Sequence, residues 1–380
     1  MPRREHPLRQ PPMITVTAPH PLGSAVRVVP PRKPRGPTTD AGAHLQGMKF
    51  SVRSPDELIS VIPHVLGFTP QDSLVLVPLS SELPAARVDL PTSAREREQV
   101  WESIGGVYAR HTRPGAQIGL FSFSADRDYA DRLGQDFAIR LQAIGVDVPI
   151  RLWASDTQWA DLDTGAAGPL TPETRQIVAA QTVLNGLAQP APSREALAAS
   201  LVGDDKSIAA LLADARTATA ASTTHVDATL ALDRLDTFHS TGIRLDDPEA
   251  ARLLVSVKSI PIRDQLWHDM NAENATSHVA LWSDLTRRAP DSVRAAPATM
   301  LAFASWLKGH GALAWCALDQ VPQGQPYPAA ELVTAVVQNG VRPSRWQAIK
   351  TAVATEGHTR GLDGLASWAK NPPVPRPPTI

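Results

Sequence analysis

The chain has little cysteine, almost no net charge and no long apolar run. Its single cysteine, Cys316, excludes an intrachain disulfide framework and a cysteine-rich zinc site, and it fits a reducing cytoplasm. The formal net charge of -1 argues against a nucleic-acid binder. No window reaches the ~18 apolar residues of a membrane span, and the N-terminus lacks the apolar core of a signal peptide. The sequence therefore predicts a soluble cytoplasmic protein with no membrane association.

Proline is abundant, at 35 residues, but unevenly placed. The composition of residues 1–47, rich in Pro and Arg, predicts a disordered tail, and residues 371–380 predict a second flexible, Pro-rich tail. The first tail is basic, so it is either a solvated end or a segment that binds phosphates or an acidic partner. Ordered-looking sequence begins at Met48, and we hypothesise that translation starts there. A native protein whose intact mass includes residue 2 would contradict that hypothesis.

Residues 48–165 alternate between strand and helix patterns. Ser54, Pro55 and Glu57 form a helix-start signal, and Pro63 is expected to interrupt that helix. Helices are also predicted from about residue 93 to 110 and over 129–144, and strands at "SLVLVPL", "AARVDLP", "AQIGLFSFS" and "VPIRLWAS". This alternation predicts an α/β domain with a mixed or parallel sheet.

Residues 166–370 are expected to form an all-α domain. The segment begins with a Thr-capped helix in "GPLTPETRQIVAAQTVLNG". Alanine-rich helical segments follow at about 193–202, 205–221, 226–238, 248–257, 261–271 and 276–288, and further helical stripes include Met300, Leu313 and Leu332. No repeat of fixed period is visible, so a solenoid is not predicted. The six tryptophans from Trp267 onward are interpreted as helix-packing anchors or part of a partner surface.

Several stretches resemble one known family. They are "SVRSPDELISVIPHVLGFTPQDSLVLVPL", "ARVDLP", "PSREALAASL", "IPIRDQLW" and "RAAPATMLAFASWLKGHGALAWCALDQV". Together they resemble an actinobacterial and actinophage family known as domain of unknown function 4192, over residues from Met48 to about Trp346. The resemblance implies relatives but no established activity.

The chain departs from that family after "VPIRLWAS". Typical members carry a cysteine-containing stretch there, whereas this chain has "DTQWADLDTGAAGPL". If those cysteines bind a metal in relatives, this protein does not bind it in the same way. Asp156, Asp161 and Asp163 remain, and we interpret them as a solvated loop. No metal and no cofactor are therefore expected.

Asp72 and Ser73 have two interpretations, as a reactive pair or as a turn. Ser73 lacks a G-x-S-x-G setting and precedes a strand instead of following one. Asp and Ser before an apolar run satisfy backbone donors in turns, so the turn is favoured. His64 is similarly interpreted as a structural histidine, with a base or ligand as the alternative.

The best candidate ligand-binding residues are Arg53, Asp72, Arg87 and Asp89, and no catalytic residue is assigned. Arg87 and Asp89 share a face of one strand, and open α/β sheets bind ligands beyond strand ends. The competing interpretation is an ion pair that fixes strand register.

Two further patterns are poor candidates for a binding or catalytic site. "GHGAL" at 309–313 joins two helices instead of following a strand, which argues against phosphate binding. Arg263, Asp264 and His268 share one helix, where His268 can pair with Asp264 as surface electrostatics.

The leading functional interpretation is a non-enzymatic interaction or regulatory module, because the sequence shows no catalytic constellation and its helical half suits partner binding. Its partner is expected to be another protein, or a second copy of the chain, bound through the helical half. The alternatives are a small-ligand-binding protein or enzyme with the polar cleft of Arg53, Asp72, Arg87 and Asp89, and a nucleic-acid-associated factor that uses the basic tail.

Overall fold

The structure, a computed structural model, describes residues 54–79, 83–184, 188–324 and 326–347. It also describes the backbone of three short strands, β1 (Ile14–Thr17), β2 (Ala43–Leu45) and β3 (Met48–Phe50). The prediction of disorder over 1–47 otherwise lies outside the described residues, as does that over 371–380. Arg53 lies outside them too.

The chain forms two compact units. Of the continuous described segments, residues 54–62 and 70–184 belong to the first unit, and 63–69 and 188–347 to the second. The expected domain boundary after residue 165 therefore falls between two strands of the first unit, and the predicted domain limits stay a prediction.

Helix α1 (Pro55–Leu66) begins where its start signal predicts, with the amide of Leu58 donating to the carbonyl of Ser54 at 3.1 Å. The prediction that Pro63 interrupts it is wrong: the helix continues to Leu66 and ends at Gly67, whose φ is +81°. Proline removes one backbone hydrogen bond, and burial of Ile62 and Leu66 on either side offsets that loss.

A mixed sheet forms the centre of the first unit, as the α/β prediction required. Its strands lie in the order β1-β5-β4-β6-β7-β8-β9. Among the described pairings of β4 to β9, only β6 and β7 are parallel. The bounds are β4 (Ser73–Pro78), β5 (Ala85–Asp89), β6 (Gln117–Phe123), β7 (Asp147–Ala154), β8 (Gln158–Asp161) and β9 (Ala167–Pro169).

The region expected to be a loop, "DTQWADLDTGAAGPL", contains β8 and β9. The expectation fails because neither strand has a strong pattern of its own. Pairing with β7 supplies the hydrogen bonds, and the alternation of exposed and buried positions is short.

Helices α2 (Ala94–His111) and α3 (Arg127–Ala143) cover one face of this sheet. Ser93 and Asp126 cap them, accepting from the amides of Glu96 and Tyr129. α4 (Pro172–Leu184) completes the unit, and Thr171 Oγ1 accepts from the amide of its Thr174. The core between helices and sheet includes Leu74, Leu76, Val88, Ile118, Leu120, Ile104, Tyr108, Leu133, Phe137 and Leu141.

Every described element of the second unit from residue 194 onward is a helix, close to the predicted segments. No helix in the described part of the chain has the length and apolar character to cross a membrane. The bounds are α5 (Arg194–Ala199), α6 (Lys206–Ala220), α7 (Thr224–Thr241), α8 (Asp247–Ser256), α9 (Ile260–Asp269), α10 (Ala275–Arg288), α11 (Asp291–Leu307), α12 (Gly311–Leu318) and α13 (Pro328–Gln338).

Helix α11 lies at the centre of this second unit. Its side chains from Ala296 to Leu307 are all buried, and α8, α10, α12 and α13 pack against it. Three of the tryptophans pack around its Phe303 in edge-on or tilted contacts: Trp267, Trp306 and Trp346 have ring centroids 4.8, 5.2 and 4.8 Å away. These three are packing anchors, as one of the two interpretations held.

Candidate functional site

Three of the four predicted polar residues, Asp72, Arg87 and Asp89, lie near the end of the sheet where β6 and β7 finish. We call this end of the strands the sheet edge. Ser73 pairs with Asp89 on one side and with Phe123 on the other, and Phe123 pairs with Ala154. Phe123 and Ala154 end the parallel strands β6 and β7, and ligands bind α/β sheets beyond such carboxyl ends. The structure therefore brings Asp72, Arg87 and Asp89 to the edge that the prediction assumed.

Arg87 is only 6% exposed and uses its guanidinium within the sheet. Its Nε donates to Ser73 Oγ at 2.8 Å, its Nη2 to the carbonyl of Gln71 at 3.3 Å, and its Nη1 lies 2.5 Å from Asp89 Oδ1. The hydrogen bonds to Ser73 and Gln71 join β5 to the start of β4 and so support the register-fixing interpretation, whereas the ion pair with Asp89 lies within β5 itself. Ligand binding by Arg53, Asp72, Arg87 and Asp89 stays a prediction.

Asp72 and Ser73 form a turn that starts β4. Asp72 has a φ of 39°, and its carbonyl accepts from the amide of Leu90 at 2.9 Å. Ser73 Oγ donates to the carbonyl of Gln71 at 2.5 Å while it accepts from Arg87. Neither of the described hydrogen bonds of Ser73 Oγ is to a base, since it donates to a carbonyl and accepts from a guanidinium, and this supports the turn interpretation.

His64 fits its structural interpretation. It is 8% exposed, and burial lowers its pKa, partly opposed by a hydrogen bond to the backbone of Ala188.

On α9, Asp264 pairs with Arg263 at 2.7 Å, while His268 is exposed. The expected pairing of Asp264 with His268 is therefore replaced by one with its direct neighbour.

Two of the three aspartates after β7, Asp161 and Asp163, have side-chain contacts that hold the fold. Asp163 lies 2.6 Å from Arg151, which also pairs with Asp131 at 2.9 Å. Asp161 Oδ1 accepts from the amides of Asp163 and Thr164 at 2.9 and 3.0 Å, which closes the turn between β8 and β9. Their carboxylates stabilise the fold locally, and the expectation of no metal there stays a prediction.

A second polar cluster, in the helical unit, was not predicted from the sequence. We call it the His–Asp cluster: His239 on α7, Asp269 at the end of α9, and Ser277 and His278 on α10. Asp269 Oδ2 lies 3.0 Å from His278 Nε2 and 3.8 Å from His239 Nε2. On its other side, His239 Nδ1 lies 2.6 Å from Ser277 Oγ.

The connection between α9 and α10 holds Asp269 in place. Asn274 Nδ2 donates to Asp269 Oδ2 at 3.0 Å, and Asn274 Oδ1 accepts from the amide of Asn271 at 2.8 Å. Asn274 occupies the N-cap position of α10, yet its side chain makes no cap hydrogen bond. The residue that usually satisfies a free helix amide instead positions a carboxylate.

The two histidines differ in their environment. His278 is fully buried, whereas His239 is partly buried, and burial and the neighbouring His278 lower the pKa of His239, against the effect of Asp269 and Asp236. Trp282 Nε1 donates to His278 Nδ1 at 3.2 Å. An indole is a donor only, so the proton of neutral His278 lies on Nε2, which donates it to Asp269.

Two imidazoles and a carboxylate are a donor set that suits a divalent metal, and their ligand atoms lie within 4.8 Å of one another. The hydrogen bonds do not fit coordination, however. A metal at His278 Nε2 requires the proton on Nδ1, where it would face the N–H of Trp282. The hydrogen bonds of the cluster therefore argue against a metal, and we assign it none.

Sequence reasoning missed this cluster because its members lie far apart in the chain. His239, Asp269 and Ser277 match no motif of fixed spacing. A local signal was present in "DMNAENATSH", where polar residues surround a helix start. It indicates a structured turn but not which helix lies opposite.

A groove between α7 and α8 is the second feature of this unit, and its cavity measures about 250 Å³. Leu230 lines it, and Val226 lies one turn earlier on α7; they are 42% and 49% exposed. Ion pairs join the two helices, Asp227 with Arg252 at 2.5 Å and Arg234 with Glu249 at 2.7 Å. The α7–α8 groove thus combines an open apolar surface with a charged border.

Comparison with known proteins gives one match. No curated protein and no solved structure matches the chain. One family model covers residues 55–344, which include both the sheet edge and the His–Asp cluster. The chain therefore belongs to the family described as Domain of unknown function (DUF4192).

Proposed function

We propose that the protein is an interaction module that binds a partner protein through the α7–α8 groove. The occupant is a basic amphipathic helix of the partner. The observation that carries the proposal is the exposed pair Val226 and Leu230, one helical turn apart, beside a groove of about 250 Å³. Apolar side chains four residues apart on the partner helix match such a surface.

The charges at the groove decide which charge the occupant should carry. The four charged residues that line the groove balance one another in two ion pairs, Asp227 with Arg252 and Arg234 with Glu249. Exposed Asp233, three residues after Leu230 on α7, adds a negative charge to the border. Lysines or arginines beside the apolar positions of the partner complement this border, and they make the binding weaker at high salt.

Two parts of the proposal concern the whole chain. We propose that α5 to α13 form an all-α domain, since the buried residues from Leu201 to Trp346 make one core. We also propose a cytoplasmic location, which the single cysteine supports. Residues 1–47 lie mostly outside the described residues, so nucleic-acid binding by that tail stays a prediction.

A displayed library of helical peptides, screened against the full chain, tests the groove. We expect the enriched peptides to be basic, with apolar residues at positions i and i+4. Leu230→Asp should weaken their binding at least about tenfold, because it removes an apolar contact at the groove. Ile260→Asp is the matched control, since Ile260 is 61% exposed on another helix, and it should leave binding unchanged.

Three results would overturn the proposal. They are a library without an enriched class, enriched peptides that are acidic, and binding that Ile260→Asp weakens as much as Leu230→Asp. Far-UV circular dichroism and thermal unfolding of both variants confirm that the loss reflects the surface and not unfolding.

A further inference from the structure

Beyond partner binding, we infer that Ser277 is a nucleophile for acyl transfer, with His239 as its base and Asp269 as the positioning residue of that base. The substrate class is a carboxylic ester. The inference rests on a chain of three groups: Ser277 Oγ lies 2.6 Å from His239 Nδ1, and His239 Nε2 lies 3.8 Å from Asp269 Oδ2.

The proton positions follow from the neighbours of the ring. His239 Nε2 is buried without a hydrogen-bond partner among the described residues, and the Asp269 carboxylate lies 3.8 Å away, so the negative charge favours a proton on Nε2 over a lone pair there. Nδ1 is then free to accept the hydroxyl proton of Ser277, which is the role of a general base. Burial lowers the pKa of His239, so the ring is neutral and able to accept at neutral pH.

Asp269 is held in an orientation that stabilises the positive charge that forms on His239 during the reaction. It accepts from His278 Nε2 at 3.0 Å and from Asn274 Nδ2 at 3.0 Å, which keeps it in one orientation. When His239 takes the proton of Ser277 it becomes a cation, and its attraction to the carboxylate 3.8 Å away increases. An interaction that strengthens as charge develops lowers the barrier of the reaction.

The start of α10 offers donors for the negative charge on the substrate. Ser277 is the third residue of this helix, and the amides of a helix's first turn have no partner within the helix. Helical Cβ atoms tilt toward the N-terminus, so Oγ of Ser277 lies on the side of those amides. Asn274 does not cap them, since its amide group holds Asp269 and Asn271. Ala275 is fully buried, so the amides of Thr276 and Ser277 are the ones that can donate to an oxyanion.

The reaction balances without a further reagent except water. Ser277 Oγ forms a bond to the carbonyl carbon of the ester, and its proton passes to His239 Nδ1. The bond from that carbon to the alkoxy oxygen breaks, and the alcohol leaves with the proton from His239. Water then attacks the acyl-serine, gives a proton to His239, and the carboxylic acid leaves as Ser277 recovers its proton.

A fluorophosphonate probe tests the nucleophile on the full chain. Ser277 Oγ displaces fluoride from phosphorus and keeps a stable phosphonyl group, which peptide mass spectrometry locates. We expect labelling at Ser277, none in Ser277→Ala, and a rate lower by about 10²-fold in His239→Gln, because the base is lost. Ser292→Ala is the matched control, an exposed serine at the start of α11, and it should label like the natural protein.

The pH profile separates a base from a residue that only maintains the fold. The labelling rate should rise with pH through a midpoint below about 6.5, the ordinary imidazole pKa, and then level off. His239→Gln should lose this dependence while its circular dichroism stays unchanged. The inference is overturned if the natural protein is not labelled at Ser277, or if His239→Gln labels at the natural rate.

Discussion

Trp282 donates its indole N–H to Nδ1 of His278 across 3.2 Å, one helical turn away on α10. Since both side chains are fully buried, no water competes for this bond. The bond determines where the histidine carries its proton, and so directs an N–H at Asp269. A packing tryptophan thereby sets the chemistry of the His–Asp cluster.

Nuclear magnetic resonance checks this assignment. The ¹⁵N spectrum of His278 at neutral pH should show a protonated Nε2 and an unprotonated Nδ1. Trp282→Phe keeps an aromatic ring but leaves Nδ1 without a donor, so the free energy of unfolding should fall by about 1–3 kcal/mol. A spectrum with the proton on Nδ1 would contradict the assignment and reopen the cluster to metal coordination.

Acidification should destabilise the second unit through His239. Because burial lowers its pKa in the folded state, the unfolded chain binds more protons just below pH 6.5, the ordinary value. This contribution to the free energy of unfolding is full above pH 6.5 and decreases as pH falls through the folded pKa. Urea unfolding at several pH values should show a smaller decrease in His239→Gln than in the natural protein.

Exposed His268 supplies the control for that experiment. His268→Gln removes an exposed imidazole outside the His–Asp cluster, so it controls for the loss of a histidine as such. An equal pH dependence in His239→Gln and the natural protein would show that His239 has the same pKa in both states.

Arg87 should contribute to stability through its contacts to Ser73, Gln71 and Asp89. Arg87→Met should lower the free energy of unfolding by about 1–3 kcal/mol, since Ser73 and Asp89 lose a charged donor. Arg87→Lys should recover little, because an ammonium group lacks the planar fork that reaches all three acceptors. Urea unfolding measures both.

Exposed Arg95 on α2 is the control position for Arg87. Arg95→Met should change stability by less than about 0.5 kcal/mol. If Arg87→Met were as neutral as the control, the register-fixing interpretation would lose its support and the ligand-binding prediction would gain.

Gly203 precedes α6 and has no room for a side chain. A Cβ there would lie 2.8 Å from the carbonyl oxygen of Arg287, a backbone atom that cannot rotate away. Gly203→Ala should therefore lower the free energy of unfolding by about 1–3 kcal/mol. Gly106→Ala is the comparison: its nearest neighbour is the flexible Arg110 side chain at 3.5 Å, so this helical position should gain about 0.5–1 kcal/mol. Thermal unfolding of the two variants should shift in opposite directions.

Local patterns were reliable where an element depends on its own residues. The pattern at 226–238 lies within α7 (Thr224–Thr241), because apolar spacing and a Thr cap act over a few residues. Patterns were unreliable where distant segments supply the energy. Pro63 stays inside α1, and β8 forms by pairing with β7.

The candidate sites divide in the same way. The pairing of Arg87 with Asp89 was visible from the sequence, since residues two apart in a strand share a face. The His–Asp cluster was not, because residues on α7, α9 and α10 become neighbours only when three helices pack.

The sequence by itself indicated an α/β organisation within the predicted 48–165, the places of most helices, the turn at Asp72 and Ser73, and a resemblance to the family that the comparison shows. The reason is that caps, turns and apolar periodicity act between residues close in the chain. Only the tertiary structure decided that Ser277, His239 and Asp269 meet, and that Trp282 sets the tautomer of His278. Those contacts depend on how the buried faces of the helices pack together, and the pattern along the sequence does not indicate which helices become neighbours.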